Sequence, residues 1–158
     1  MNRCYIMLLL LAGCLLIAGF AFAQSKDGVV VLSPPDSIKP TGPWGLAALD
    51  QHNHVLYVAG MRGIDPKTGK LVDGAEARIR QAFLNMKHIV DSAGGSLSQC
   101  LRVVVYTTDM YRYRPIANKV QEELWGKGPY PPRTIIEVHR LNEDDILEVE
   151  GTFYVPPK

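Results

Sequence analysis

Only two stretches of the chain carry helical periodicity, and both are amphipathic. Over Ala75–Ala93 the residues Ile79, Phe83, Met86, Ile89, Val90 and Ala93 fall on one stripe, with Arg78, Arg80, Gln81, Lys87 and Asp91 elsewhere. Asp73 marks the start and Gly94-Gly95 the stop. A second stripe (Ile116, Ala117, Val120, Leu124) runs from about Arg114 to Trp125, with Pro115 in its first turn and Gly126 as its stop. The remaining apolar runs are of strand length: Val29–Leu32, Leu46–Leu49, His54–Ala59, Leu101–Thr107, Arg133–Arg140 and Ile146–Val155. Pro40-Thr41-Gly42-Pro43, Asp65-Pro66-Lys67-Thr68-Gly69 and Asn142-Glu143-Asp144-Asp145 read as turns between them. The order β-β-β-α-β-α-β-β predicts an α+β unit. In it a six-stranded, mainly antiparallel sheet carries two helices on one face. Two helices leave the other face bare, and a bare face of Val, Leu, Ile and Tyr predicts an oligomer.

The N-terminus reads as a leader. Tyr5–Ala23 is almost continuously apolar, follows Arg3 and precedes Gln24-Ser25-Lys26-Asp27. Ala21-Phe22-Ala23 has the small-x-small form of a signal-peptidase site, which predicts residues 1–23 as a signal peptide and 24–158 as a single domain. Leu11-Ala12-Gly13-Cys14 also has the form of a lipobox, and the run is long enough for an uncleaved anchor across ~30 Å of hydrocarbon. All three readings put the domain outside the inner membrane, periplasmic or secreted.

Losing Arg3 brings the basic residues down to match the 16 Asp and Glu. A chain without net charge has no field to hold a phosphate backbone, so nucleic-acid binding is disfavoured. Only Cys100 of three cysteines stays in residues 24–158, which excludes a disulfide scaffold and a zinc site on paired cysteines.

Arg133 opens a strand directly after Pro131-Pro132, where a loop and a neighbouring subunit can meet, and its planar fork suits a carboxylate. A cap on the sheet edge, or a pair with Glu137, would account for the same residue. Glu148 and Glu150 alternate with Leu147 and Val149, so both acids share one sheet face. That face is either solvated or, buried at an interface, the place for a carboxyl of raised pKa acting as acid or base. His52 and His54 lack a third ligand, so no metal site is expected. Cys100 has no neighbouring His and reads as packing. The glycines Gly42, Gly60 and Gly63 have no phosphate-loop spacing, and neither a Ser-His-Asp order nor a dinucleotide fingerprint is present.

Three segments together carry a likeness. They are Val58-Ala59-Gly60-Met61-Arg62-Gly63-Ile64-Asp65-Pro66-Lys67-Thr68-Gly69, the stretch Ala77 to Lys87, and Pro132-Arg133-Thr134 through to Leu147-Glu148-Val149-Glu150. In this order, over residues 29 to 155, the chain resembles the Rid (YjgF) family of reactive-intermediate deaminases. The resemblance implies a chorismate-mutase-like α+β fold assembled as a homotrimer, with ligand sites between subunits. It implies hydrolysis of enamine and imine intermediates to 2-keto acids and ammonia without a cofactor. Arg133 then matches the clamp for the substrate carboxylate, Gly60 the glycine whose backbone meets the ligand, and Glu148 the acid that positions the attacking water. Trp44, Ala59, Thr134 and Ile135 would complete the lining. Trp44 stands where the best-studied branch has a tyrosine, Ala59 where it has a serine, and Ile135 where it has a cysteine; His139 replaces a small or basic residue. The implied site is more apolar than that of the branch. A non-catalytic module holding a small carboxylate ligand is the alternative, and a ribonuclease fits an uncharged domain poorly.

Overall fold

The computed structural model describes residues 22–157. Seven strands form one sheet: β1 (Phe22–Lys26), β2 (Val29–Leu32), β3 (Ala47–Asp50), β4 (Val55–Arg62), β5 (Cys100–Thr107), β6 (Arg133–Glu137) and β7 (Leu147–Tyr154), in the spatial order β1-β2-β3-β4-β7-β5-β6. All six expected strands are present, and β1 is added at one edge, antiparallel to β2. The leader expected over residues 1–23 lies outside the described residues except for its last two. All neighbours are antiparallel except β5 and β6, which are parallel. Their connection runs through a helix, as parallel neighbours require.

Helix α1 (Ala75–Ser92) packs on β4 and β7, with α2 (Met110–Trp125) beside it on β5 and β6. The predicted stripe of α1 is the buried one: Ile79, Phe83, Met86, Ile89 and Val90 are all sealed, with Ala82 and Asn85 added. Its end is a Schellman turn. Gly94 takes a positive φ of 87° and its N–H reaches the Asp91 carbonyl, while the Gly95 N–H reaches Val90 at 3.0 Å. The helix cap is Gly74, one residue after the expected Asp73.

Helix α2 starts about one turn earlier than its proline suggests. The Asp109 side chain accepts from the Arg112 N–H at 2.9 Å, which satisfies an otherwise free donor and starts the helix at Met110. Pro115 therefore falls in the second turn. Phe83 and Trp125 meet edge to face at 6.3 Å, and the Trp125 indole donates to the Leu97 carbonyl, joining the helices to each other and to the chain between α1 and β5.

Alternation divides the sheet cleanly. Leu56, Val58, Met61, Val103, Val105, Leu147, Val149 and Phe153 face the helices and are buried. Val29, Val31, Tyr57, Ile136 and Tyr154 face the other way, and Tyr57 is 55% exposed. The uncovered apolar face read from the sequence is therefore present. Strand β4 does not keep one alternation throughout. The register shifts between Val58 and Met61, so Ala59 and Gly60 form a bulge, and after it Met61 rather than Gly60 faces the core.

Candidate functional site

The residues singled out in the sequence divide between two clefts. The first, of about 220 Å³, lies on the uncovered face and brings together Trp44, Ala59, Gly60 and Glu148, with Lys39, Arg62 and Asn142. Glu148 projects from β7 across the β4 bulge. A methyl group at Gly60 would overlap its carboxylate, so here glycine is required by close approach and not by backbone conformation. Burial pushes the Glu148 carboxyl above the usual range, and the charges of Asp145 and Glu150 push the same way; Arg62 opposes them. The shift is toward the proton-holding form, the direction an acid–base group needs.

The second cleft, of about 310 Å³, opens between the C-terminal half of α2 and the start of β6, and contains Arg133, Asn118, Gln121, Tyr130 and Pro131. Arg133 donates through Nη1 to Gln121 Oε1 at 2.8 Å and through Nη2 to Asn118 Oδ1 at 2.7 Å. Both partners are neutral, so the fork is aimed while its charge stays unspent. Burial, helped by nearby Arg114, holds its pKa below the usual arginine value. The edge pairing with Glu137 does not form, because that carboxylate accepts from the Met110 N–H instead.

Ile135 shares the helix-facing side with Arg133 and packs against the core, away from the first cleft. Thr134 is exposed on the uncovered face beside Val104. One protomer thus gathers Trp44, Ala59, Gly60 and Glu148 in one place and holds Arg133, Thr134 and Ile135 at the far edge. His139 is exposed. His54 meets Tyr154 edge to face, and His52 packs on Gly28. Burial drives the Cys100 thiol up to about 12, in keeping with packing and not with a nucleophile.

Three residues went unassigned in the sequence. Arg62 pairs in register with Glu148 across β4 and β7 and is only 8% exposed. The alternation read over His54–Ala59, carried onward, puts Arg62 in the core, and the bulge instead turns it onto the site face. Asn118 and Gln121 aim Arg133; two amides three apart on a helix, near its apolar stripe, were the available signal.

A profile described as endoribonuclease L-PSP matches residues 35–155. The chain is 36% identical to a RutC family protein of Pyrococcus horikoshii over 125 residues, 78% of this chain and 96% of that one. It is 28% identical to a 2-iminobutanoate/2-iminopropanoate deaminase of Dermatophagoides farinae over 122 residues, covering 77% and 92%. A solved structure of a probable translation initiation inhibitor from Rhodopseudomonas palustris is 43% identical and superposes with a TM-score of 0.78, covering 82% of this chain and 99% of that one.

Proposed function

The chain belongs to the Rid (YjgF, endoribonuclease L-PSP) family, and from that premise we propose that it hydrolyses enamine and imine intermediates to 2-keto acids and ammonia between the subunits of a homotrimer. The observation that carries this reading is Glu148, a half-buried carboxyl of raised pKa held against Gly60 in a cleft. A protonated imine carbon is already electrophilic, so the protein has only to hold the substrate and direct water. Arg133 of a neighbouring subunit supplies the carboxylate clamp, pre-aimed by Asn118 and Gln121. Glu148 takes a proton from water as its oxygen bonds to the imine carbon. It returns that proton to nitrogen, and as the carbon–nitrogen bond breaks and the carbonyl forms, the hydroxyl proton passes to the departing ammonia, leaving the 2-keto acid and ammonium. Positioning and proton transfer of this kind contribute about 10²–10⁴-fold for the acid–base part alone. Neither step calls for a cofactor.

The leader supports export, with the domain periplasmic or secreted. A second reading, a binding module for small carboxylates, draws on Ala59 and Trp44, which leave fewer polar groups to work on a substrate. Ammonia release from freshly generated 2-iminopropanoate and longer imines, with Arg133→Ala as the control, tests the two. Arg133-dependent release supports the hydrolase. Arg133-dependent binding of 2-keto acids without any release supports the module.

A further inference from the structure

We propose that Arg62 is a positioning residue for this site, acting through Glu148 to keep that carboxylate charged over Gly60. The inference rests on the hydrolase reading for its consequence in turnover, but the coupling between the two side chains is a property of the fold.

First, the β4 bulge turns Arg62 onto the uncovered face, directly across from Glu148 in the β4–β7 register, and both side chains line the same cleft. Second, Arg62 is held at both ends. The buried Asn85 on α1 donates to the Arg62 carbonyl at 2.9 Å and to the Ile64 carbonyl at 2.8 Å, fixing the strand as it leaves the bulge. The guanidinium donates to the Asn142 carbonyl at 2.7 Å and, through both Nη atoms, to Glu143 Oε2 at 3.2 Å. Third, these partners do not use up its charge. Among the described residues Glu143 is the only acid paired with it, and its side chain is 63% exposed, so the pairing is screened by water.

The charged and titratable groups around Glu148 show why a cation is needed there. Asp145, just before β7, and Glu150, two residues along it, both oppose its ionisation, as does its own burial. Tyr106 is its register partner on β5, and Lys39 lines the cleft from the loop before β3. Asp145 is itself buried and faces Arg78 at 3.7 Å. Of these groups, Arg62 is the cation that favours charge on Glu148. Without it the carboxylate would stand among acids in a half-buried cleft and hold its proton to higher pH. A protonated Glu148 cannot receive one from water.

The test is a direct titration of Glu148, followed by carbon-13 carboxyl NMR, beside the pH profile of imine hydrolysis. Arg62→Met and Arg62→Gln are both made; Gln retains a donor for the Asn142 carbonyl, and both are checked for native circular dichroism. In a folded neutral variant Glu148 titrates at higher pH than in the wild type. The acidic limb of kcat moves up with it, while the plateau above the limb stays within about twofold. Arg62→Lys brings the limb back towards its original position. Glu143→Gln, at an exposed side chain, frees the guanidinium from its acid and moves the Glu148 titration down. An unmoved Glu148 titration in a folded neutral variant, or in Glu143→Gln, overturns the inference. A shifted titration in a protein that hydrolyses no imine sinks the hydrolase reading and leaves the coupling standing.

Discussion

Arg133 and Glu148 stand on opposite faces of one sheet, with β5 between their strands. Arg133 points to α2 and bonds Asn118 and Gln121, whereas Glu148 alternates with the buried Leu147 and Val149 and projects over Gly60. Arg133 is paired with Val103 and Glu148 with Tyr106, so the two are also offset along the strands. A single small substrate cannot touch both within one subunit. If both act on one molecule, they come from different subunits.

That arrangement predicts complementation. Arg133→Ala and Glu148→Gln are each expected to be inactive alone, because each lacks half of every site. Co-refolded in equal amounts as mixed trimers, they regain about a quarter of wild-type ammonia release, since one interface in four receives both intact residues. No recovery in trimers shown by sedimentation to be mixed would place the two residues in separate functions.

Arg133→Lys is expected to lose nearly as much as Arg133→Ala. Lysine offers a point charge on a flexible stem and cannot bond Asn118, Gln121 and a carboxylate in one plane. Calorimetric titration with a 2-keto acid measures the loss, and near-normal affinity in the lysine variant would remove the bidentate clamp.

Gly60→Ala is expected to cut turnover by about 10² or more with little effect on folding. The added methyl displaces the Glu148 carboxylate, which swings outward in an open cleft, so the cost falls on the site and not on the core. Activity and thermal melting of the same preparation separate the two effects. Wild-type turnover would mean that the contact has no bearing on the chemistry.

Asp145 gives a pH prediction. Its Oδ2 is buried without a hydrogen-bond partner, and burial raises its carboxyl above the usual range despite Arg62 and Arg78. A carboxyl whose native pKa is raised makes the folded chain bind its proton more tightly than the unfolded chain. The stability it favours is present in acid and is lost as pH rises through the native pKa. Asp145→Asn is therefore expected to flatten the fall of melting temperature from about pH 4 upwards, the window set by the usual carboxylate value and the direction of the shift. Glu148, shifted the same way, leaves a residual slope. An unchanged slope would show that Asp145 is not desolvated in solution.

The expected cleavage between Ala23 and Gln24 falls within β1. The pairs Ser25↔Val30 and Lys26↔Val29 lie beyond the cut, so a chain beginning at Gln24 retains the end of this edge strand. Such a chain is expected to melt within a few degrees of one beginning at Phe22. Mass spectrometry of the protein recovered from the cell envelope should give Gln24 as its first residue. A diacylglyceryl group on Cys14 would establish the lipobox instead.

The parts legible in the sequence were those with an uninterrupted period. The stripe of α1 from Ile79 to Val90, the alternation of Leu147 to Glu150, and the uncovered face follow from spacing alone, and so does the sharing of a face by Glu148 and Glu150. Interruptions hid the rest. Pro115 resembled a first-turn proline because the cap that starts the helix, Asp109, lies six residues earlier. Asn85 was lost among the apolar residues of its stripe, since its partners are carbonyls 23 and 21 residues away. The parallel pairing of β5 with β6 leaves no local signal. Arg133 could be named as a carboxylate binder, but the amides that aim it lie on a helix whose packing is set by tertiary contacts.

The two residues at Ala59-Gly60 have a consequence beyond their own contacts. They act as a half-step in the strand: upstream of it even-numbered side chains look inward, and downstream odd-numbered ones do. Straightened at the same length, the strand would exchange Met61 with Arg62, sending a thioether into water and a guanidinium among Phe83 and Val149. The frame of this strand is thus set from two directions at once, by the oil on one side and by the acid on the other. Losing one of the two residues would leave both faces as they are and cost only the bulge over which Glu148 is seated.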